Sequence, residues 1–370
     1  MEFPLIRTAE SLGLPSAATG RGPGDGEPAE GRTPAAASDL KASDLGKELA
    51  GGEPPELRYE ETIPRTLVHR ASVTEVFLTD TAVVADDVFA VAAQLPRGHM
   101  IGERGEFYDF ALIVEVLRQT GIVIAHRHLD VPLDMAFIFR YMTIRVVDLD
   151  ALRIGPTPGQ AVVTVRVQVE RTRGGRVRAL NFEAALDIDG RPALEVTGSL
   201  TFVTRGAFKA MRSRQRAARD LDRPITPLLA GATPDMVGRR QERNVVITEP
   251  VVLDDSRAAA KLVVDLAHPH LFDHPLDHVP GNLQIEAARQ IATSAVARVG
   301  GPAPDTLDVI AMNAEFTGFI EHDLETRVEA QIRRFRNDDR LGVLAVPVSV
   351  QLTQQGETGA RIELEVAQCR

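Results

Sequence analysis

One short string occurs twice in this chain, and it limits the architecture more than any other feature. Glu115-Val116-Leu117-Arg118-Gln119 and Glu286-Ala287-Ala288-Arg289-Gln290 share the pattern Glu-x-x-Arg-Gln, with 286 − 115 = 171 residues between them. Each copy lies in a long apolar stretch, 107–125 and 282–299, that reads as a buried helix. The order of elements around the copies repeats as well. Strand-like segments precede each helix, at 72–79 and 88–95 and again at 245–253 and 259–266. Four more follow each time, at 137–149, 161–171, 178–188 and 193–203, then at 308–318, 325–335, 342–352 and 360–367. Turns at Arg173-Gly174-Gly175 and at Asp187-Ile188-Asp189-Gly190 are hairpin signals. A repeat of this length, with matched polar positions on apolar helices, implies two tandem copies of one α+β fold. A length of 370 residues suits two domains of roughly 150 residues each.

The remaining segments set the boundaries. Residues 1–57 are rich in Gly, Pro, Ala and Ser and read as a disordered tail, because they offer too little apolar surface to offset the entropy of ordering. The first repeat is expected at 58–205 and the second at 244–370. Between them, 206–243 reads as a basic linker with one helix, carrying Arg212, Arg214, Arg216, Arg219 and Arg223. Such a run is either a solvated face or a dock for an acidic partner such as an acyl carrier protein.

Composition removes several function classes. Lys and Arg number 42 against 52 Asp and Glu, a net charge of −10, which argues against general nucleic-acid binding. The single cysteine, Cys369, excludes a disulfide framework or a CxxC pair. No run approaches the ~18 apolar residues of a membrane span, and no basic, then apolar, leader opens the chain. A cytoplasmic protein is expected. There is no Gly-x-Ser-x-Gly elbow and no phosphate loop of the Walker type.

The chemistry centres on the repeated string. Glu115, Arg118 and Gln119 share one helix face, as do Glu286, Arg289 and Gln290. A carboxylate and a guanidinium on an apolar helix are costly to bury unless paired. They therefore either dock the repeats by ion pairing or line a substrate cleft, with Glu as general base and Arg binding an anion. Four of the nine histidines fall between His268 and His278, just before the second helix. His274 and His278 are candidates for acid–base work there, with Asp273 and Asp277 beside them. A metal site is the rival use of these four residues, but the first repeat offers only His99 at the matching place, so no metal is expected. Gly281 opens the second helix, where free N–H groups can hold an oxyanion or a phosphate.

The run Phe272-Asp273-His274-Pro275-Leu276-Asp277-His278-Val279-Pro280-Gly281, followed by Glu286-Ala287-Ala288-Arg289-Gln290, resembles the AfsA family, the A-factor-type γ-butyrolactone biosynthesis proteins of actinomycetes. Val68-His69-Arg70, Glu75-Val76-Phe77-Leu78, Ala93-Gln94-Leu95-Pro96-Arg97, His99 and Glu115–Gln119 resemble that family's first repeat, so the likeness spans roughly 65–370. It implies two tandem hot-dog folds, each a long helix wrapped by an antiparallel sheet. It also implies transfer of a β-ketoacyl group from a thioester of coenzyme A or a carrier protein to the hydroxyl of dihydroxyacetone phosphate, without a cofactor. On that basis Glu115 or Glu286 takes the hydroxyl proton, Arg289 and Arg118 bind the phosphate, and Gln119, Gln290, Asp273, Asp277, Gly281 and His99 contact substrate.

Pro280-Gly281 five residues before Glu286 is also similar to the hot-dog dehydratases, but His274 stands closer to Pro280 than their histidine does. A dehydratase or thioesterase, and a non-catalytic acyl- or lactone-binding protein, are the alternatives. Two hot-dogs in one chain already form the usual pair, so either a monomer or a homodimer fits.

Overall fold

The computed structural model describes residues 55–103, 105–219, 221 and 229–369. Most of the expected tail, 1–54, and part of the expected linker, including Arg223, lie outside the described residues. The first half runs β1 (Leu78–Ala85), β2 (Val88–Leu95), α1 (Phe110–His128), β3 (Met135–Val146), β4 (Gly159–Arg171), β5 (Val177–Ile188) and β6 (Arg191–Thr204). After α2 (Arg205–Ala217), the second half runs β7 (Val251–Asp254), β8 (Arg257–Lys261), α3 (Gly281–Gly300), β9 (Leu307–Phe316), β10 (Arg327–Ile332), β11 (Arg336–Asp338), β12 (Val343–Gln354) and β13 (Glu357–Gln368).

The strands form one sheet in the order β1-β2-β4-β5-β6-β3-β9-β13-β12-β10-β8-β7, with β11 paired to β12 off this path. Without β11, the second half repeats the order of the first in mirror sequence. The halves join where β3 pairs antiparallel with β9, from Tyr141 opposite Glu315 to Arg145 opposite Ala311. Alternation along strands such as β13 sends Ile362, Leu364 and Val366 to the core and Arg361 and Glu363 outward. Hairpin turns place Asp189 and Gly190 at φ 50° and 74°, the left-handed geometry that two-residue hairpins require.

Each long helix lies under its half-sheet, and both are buried nearly all round, as a helix wrapped by a sheet must be. From Ala111 to His126 of α1, every residue except Arg118 is buried. In α3, Leu283 to Thr293 are all buried, Arg289 included. The helix starts differ. Asp109 caps α1 by accepting from the Ala111 amide at 2.9 Å, whereas Pro280 precedes α3 and offers no side-chain cap.

Three expectations need correction. The stretches 72–79 and 245–253 are strand only in part: the 3-10 turn Val73–Glu75 precedes β1, which begins at Leu78, and the turn Glu242–Asn244 ends just before residue 245, with β7 beginning at Val251. β11 was not anticipated, being three residues long. Most consequentially, the basic helix α2 is neither a solvated face nor a free dock. Arg212 is buried and donates to Glu321 twice at 2.7 Å and to Asp277 at 3.1 Å. Arg216 reaches Glu321 and Asp323 at 2.7 and 2.5 Å, and Arg219 reaches Glu357 at 2.8 Å. The helix is stapled by its arginines to carboxylates of the second half.

Candidate active site

The repeated glutamates are the centres of two matching clamps. Glu115 accepts from Arg70 Nε (2.8 Å), Arg118 Nε and Nη2 (2.8 and 2.9 Å) and Gln119 Nε2 (2.6 Å). Asn282 Nδ2, from the start of α3, adds a further bond at 2.8 Å. Glu286 accepts from Arg239 Nε (2.9 Å), Arg289 Nε and Nη2 (2.9 and 3.0 Å) and Gln290 Nε2 (2.5 Å). Gln119 also ties the Glu75 carbonyl and the Phe77 amide, as Gln290 ties the Asn244 carbonyl and the Val246 amide. Each clamp thus fastens a long helix to the 3-10 turn that enters its own half. Arg70 and Arg239 also cross between halves, donating to the His270 and Ile101 carbonyls.

These clamps correct the expected roles of both glutamates. Burial alone would raise their pKa values. The charges of Arg118 and Arg70 hold Glu115 well below the usual carboxylate range, and those of Arg239 and Arg289 hold Glu286 below it. A carboxylate so saturated with donors is a poor proton acceptor. Gln119 and Gln290 are spent on backbone groups. Arg289 is also displaced from its expected role: its side chain is 5% exposed and lies 3.8 Å from Asp109 Oδ2 as well as against Glu286. Asp109 is the element sequence analysis missed here, since as a helix cap it gave no sign that its other oxygen would take Arg239 at 3.0 Å.

Arg118 differs from Arg289. Its side chain is 19% exposed, and it lines a cavity of about 1050 Å³ between the halves. Its walls combine polar groups, among them His69, Arg118, His274, His278 and Asn282, with apolar ones, among them Ile122, Phe137, Phe139, Met142 and Phe202; His69 and Phe137 pack against each other, with ring centroids 4.8 Å apart. Leu283 and Gln284 donate to the Pro280 carbonyl, so the amides of Gly281 and Asn282 stand at the cavity wall. His278 Nδ1 donates to Asp277 Oδ1 at 2.7 Å, and the ring packs edge-on to Phe319. Burial would raise the Asp277 pKa, but the His278 hydrogen bond and the Arg212 charge lower it.

The remaining expected residues fall elsewhere. Asp273 accepts from the Ala71 and Ser72 amides at 2.6 and 3.0 Å, joining the halves behind the cavity. His99 approaches Glu75 at 3.4 Å, and His270 Nδ1 approaches the same carboxylate at 2.7 Å. The potential ligand atoms of Glu75, His99 and His270 lie within 4.8 Å of one another, a spacing open to a metal. However, the Ile101 amide points at His99 Nδ1, which leaves His99 Nε2 as an N–H donor to Glu75 rather than a bare ligand. Burial would raise the Glu75 pKa, and the two imidazoles bring it down to about 2.

Sequence analysis also missed His69, Arg70, Arg239 and Asn282 as site residues. A signal existed for two of them: Arg70 stands five residues before Glu75 and Arg239 five before Asn244, a second repeated spacing.

Two helices under one continuous sheet, with a cavity where the halves meet, define a double hot-dog protein. The chain belongs to the A-factor biosynthesis hotdog domain family, whose model matches residues 54–204 and again 222–370. Three curated relatives carry the name 2-oxo-3-(phosphooxy)propyl 3-oxoalkanoate synthase. The protein of Streptomyces virginiae is 33% identical over 273 residues, 73% of this chain and 87% of its own. That of Streptomyces coelicolor is 30% identical, covering 73% and 82%. That of Streptomyces griseus is 28% identical, covering 64% and 75%. No helix among the described residues is long and apolar enough to cross a membrane.

Proposed function

We propose that this chain is an acyltransferase that moves a 3-oxoacyl (β-ketoacyl) group from a thioester to the hydroxyl of dihydroxyacetone phosphate, the step that the relatives' names describe and that leads toward a γ-butyrolactone. The observation that carries this reading is the mixed lining of the cavity. Its phenylalanines, Phe137, Phe139 and Phe202, suit an acyl chain, and Arg118 suits a phosphate. A volume of about 1050 Å³ accommodates both substrates at once, at the upper end of ordinary ligand pockets.

Within that frame Arg118 binds the phosphate. Glu115 and the Val68 carbonyl engage its Nε and Nη2, which orients the guanidinium and leaves the Nη1 N–H groups to meet phosphate oxygens. The Gly281 and Asn282 amides at the start of α3 receive the oxyanion that forms as the hydroxyl attacks the thioester carbonyl. Glu115 fixes Arg118 and, through Asn282, the start of the second half's helix, so it positions both the phosphate site and the oxyanion site. His274 and His278 also line the cavity. The reaction needs no covalent enzyme intermediate, because the acceptor hydroxyl attacks directly. The thioester is carried by coenzyme A or by an acyl carrier protein, and the protein works in the cytoplasm where both occur.

Mass spectrometry of the purified protein with a β-ketoacyl thioester, with and without dihydroxyacetone phosphate, tests this reading. A phosphorylated ester that forms only with the acceptor is expected. Free acid or dehydrated thioester appearing regardless of acceptor replaces the reading with a thioesterase or a dehydratase. Bound ligand without turnover replaces it with a non-catalytic binding protein.

A further inference from the structure

The 3-10 turn Arg65–Val68 ends on His69, which adopts the left-handed conformation at φ 53° and ψ 51°. The matching turn of the second half, Pro234–Val237, ends on Gly238 at φ 68° and ψ 27°. Each of these residues directly precedes the arginine that clamps its half's glutamate, Arg70 or Arg239. Glycine takes this geometry freely, whereas a side chain is disfavoured there. In the second half a side chain is also excluded by space, since a Cβ on Gly238 would meet the Pro304 carbonyl oxygen at 2.8 Å. The first half keeps a strained histidine, and it does so at the wall of the cavity. Strain held at a cavity wall is the mark of a residue retained for work rather than for packing.

Hydrogen bonding fixes which nitrogen of His69 is the base. His126 Nδ1 lies 2.7 Å from the Val131 carbonyl, which only accepts, so Nδ1 carries the His126 proton. Burial lowers the His126 pKa, keeping that ring neutral and its Nε2 a bare acceptor. His69 Nε2 stands 2.8 Å from His126 Nε2 and must therefore be the N–H that donates. His69 Nδ1 is left with its lone pair. Phe137 packs edge-on to His69 with ring centroids 4.8 Å apart, which holds the ring's orientation.

We infer that His69, through Nδ1, is the proton acceptor for the hydroxyl that attacks the thioester, its tautomer set by the relay from the Val131 carbonyl through His126. The inference rests on the acyl-transfer reading above. As the new C–O bond forms, Nδ1 takes the hydroxyl proton. As the C–S bond breaks, the imidazolium returns that proton to the departing thiolate, leaving ester, thiol and neutral His69. Burial first, then the charges of His126, Arg118 and His274, lower the His69 pKa to about 3, so the ring is neutral before substrate arrives. A phosphate dianion at Arg118 offsets that guanidinium's charge and raises the basicity of Nδ1 in the loaded site.

His69→Gly separates chemistry from folding, because it installs the residue the second half already uses. We expect its urea midpoint to equal or exceed wild type while ester formation falls at least about 100-fold, and added imidazole, entering the space of the lost ring, to restore part of the rate. His69→Asn, which also tolerates the left-handed conformation, should be as slow but not rescued. Retention of near-wild-type rates by His69→Gly overturns the assignment. So does a loss that imidazole fails to restore, since it marks a residue that only shapes the cavity. If wild type itself makes no ester from thioester and dihydroxyacetone phosphate, the acyl-transfer reading falls first.

Discussion

Arg118 and Arg289 occupy the same place in the repeated string, yet their surroundings give them different work. Arg118 reaches the cavity, and Arg289 is enclosed by Glu286 and Asp109. Arg118→Ala should therefore raise the KM for dihydroxyacetone phosphate by about tenfold or more, as expected for loss of a charge-assisted contact, while the thioester KM changes little. Arg289→Ala should leave both KM values near wild type. Both variants should lower the urea midpoint, because each removes two hydrogen bonds from a carboxylate that stays buried. Steady-state kinetics and urea titrations on both variants check this, and a reversed pattern refutes the assignment. A pH effect also belongs to single residues. His69 and His268 have an ordinary pKa of 6.5, which burial, as the largest cause, lowers to about 3 and about 4 in the fold. The unfolded chain takes up protons that the folded chain refuses, so this stability is complete above about pH 6.5 and falls as the pH drops toward 4. The slope is roughly 1.4 kcal/mol per pH unit for each group. Urea midpoints should be lower at about pH 5 than at about pH 7.5, and equal midpoints contradict the argument.

At the scale of elements, α2 carries the clearest prediction. Arg212 is its anchor, and Ala207, Met211 and Gln215 on the same helix line the cavity, so the staple is also a wall. Arg212→Ala removes two of the three 2.7 Å contacts to the buried Glu321, leaving only that from Arg216, and should destabilise the fold by about 3 kcal/mol. In a double-mutant cycle, Glu321→Ala added to Arg212→Ala should cost much less than the two single losses combined; additive losses refute the coupling. This helix also shows where sequence reading stops. Its arginines were plain in the sequence, but their partners, Asp277, Glu321, Asp323 and Glu357, lie 65 to 138 positions away, and a charge run does not reveal what faces it. The long helices and most strands were legible because their period reflects burial on one wall of the sheet; β2 falls on the residues expected. The turns at 73–75 and 242–244 were not, since three residues are too few for periodicity to separate a coiled backbone from an extended one. Within the site, the paired glutamates were legible as important and misread as bases. Their number of donors depends on Arg70 and Arg239, which the topology brings in from 45 and 47 positions upstream.

At the scale of the whole molecule, the two halves match in strand order but differ in chemistry. The cavity opens beside Arg118, while the corresponding arginine of the second half is closed by Asp109. Titration calorimetry with a non-reactive phosphorylated analogue of the acceptor should give one site per chain, abolished by Arg118→Ala and kept by Arg289→Ala; two equivalent sites contradict the asymmetry. Joining both halves in a single polypeptide has a further result. In an assembly of two identical subunits, every substitution is made twice, and a residue good for one role must serve in both copies. Here position 69 and position 238 are written separately, so one holds a strained histidine while its twin relaxes to glycine. Covalent linkage thus lets a duplicated scaffold stop being a pair of equals and become a worker and its brace.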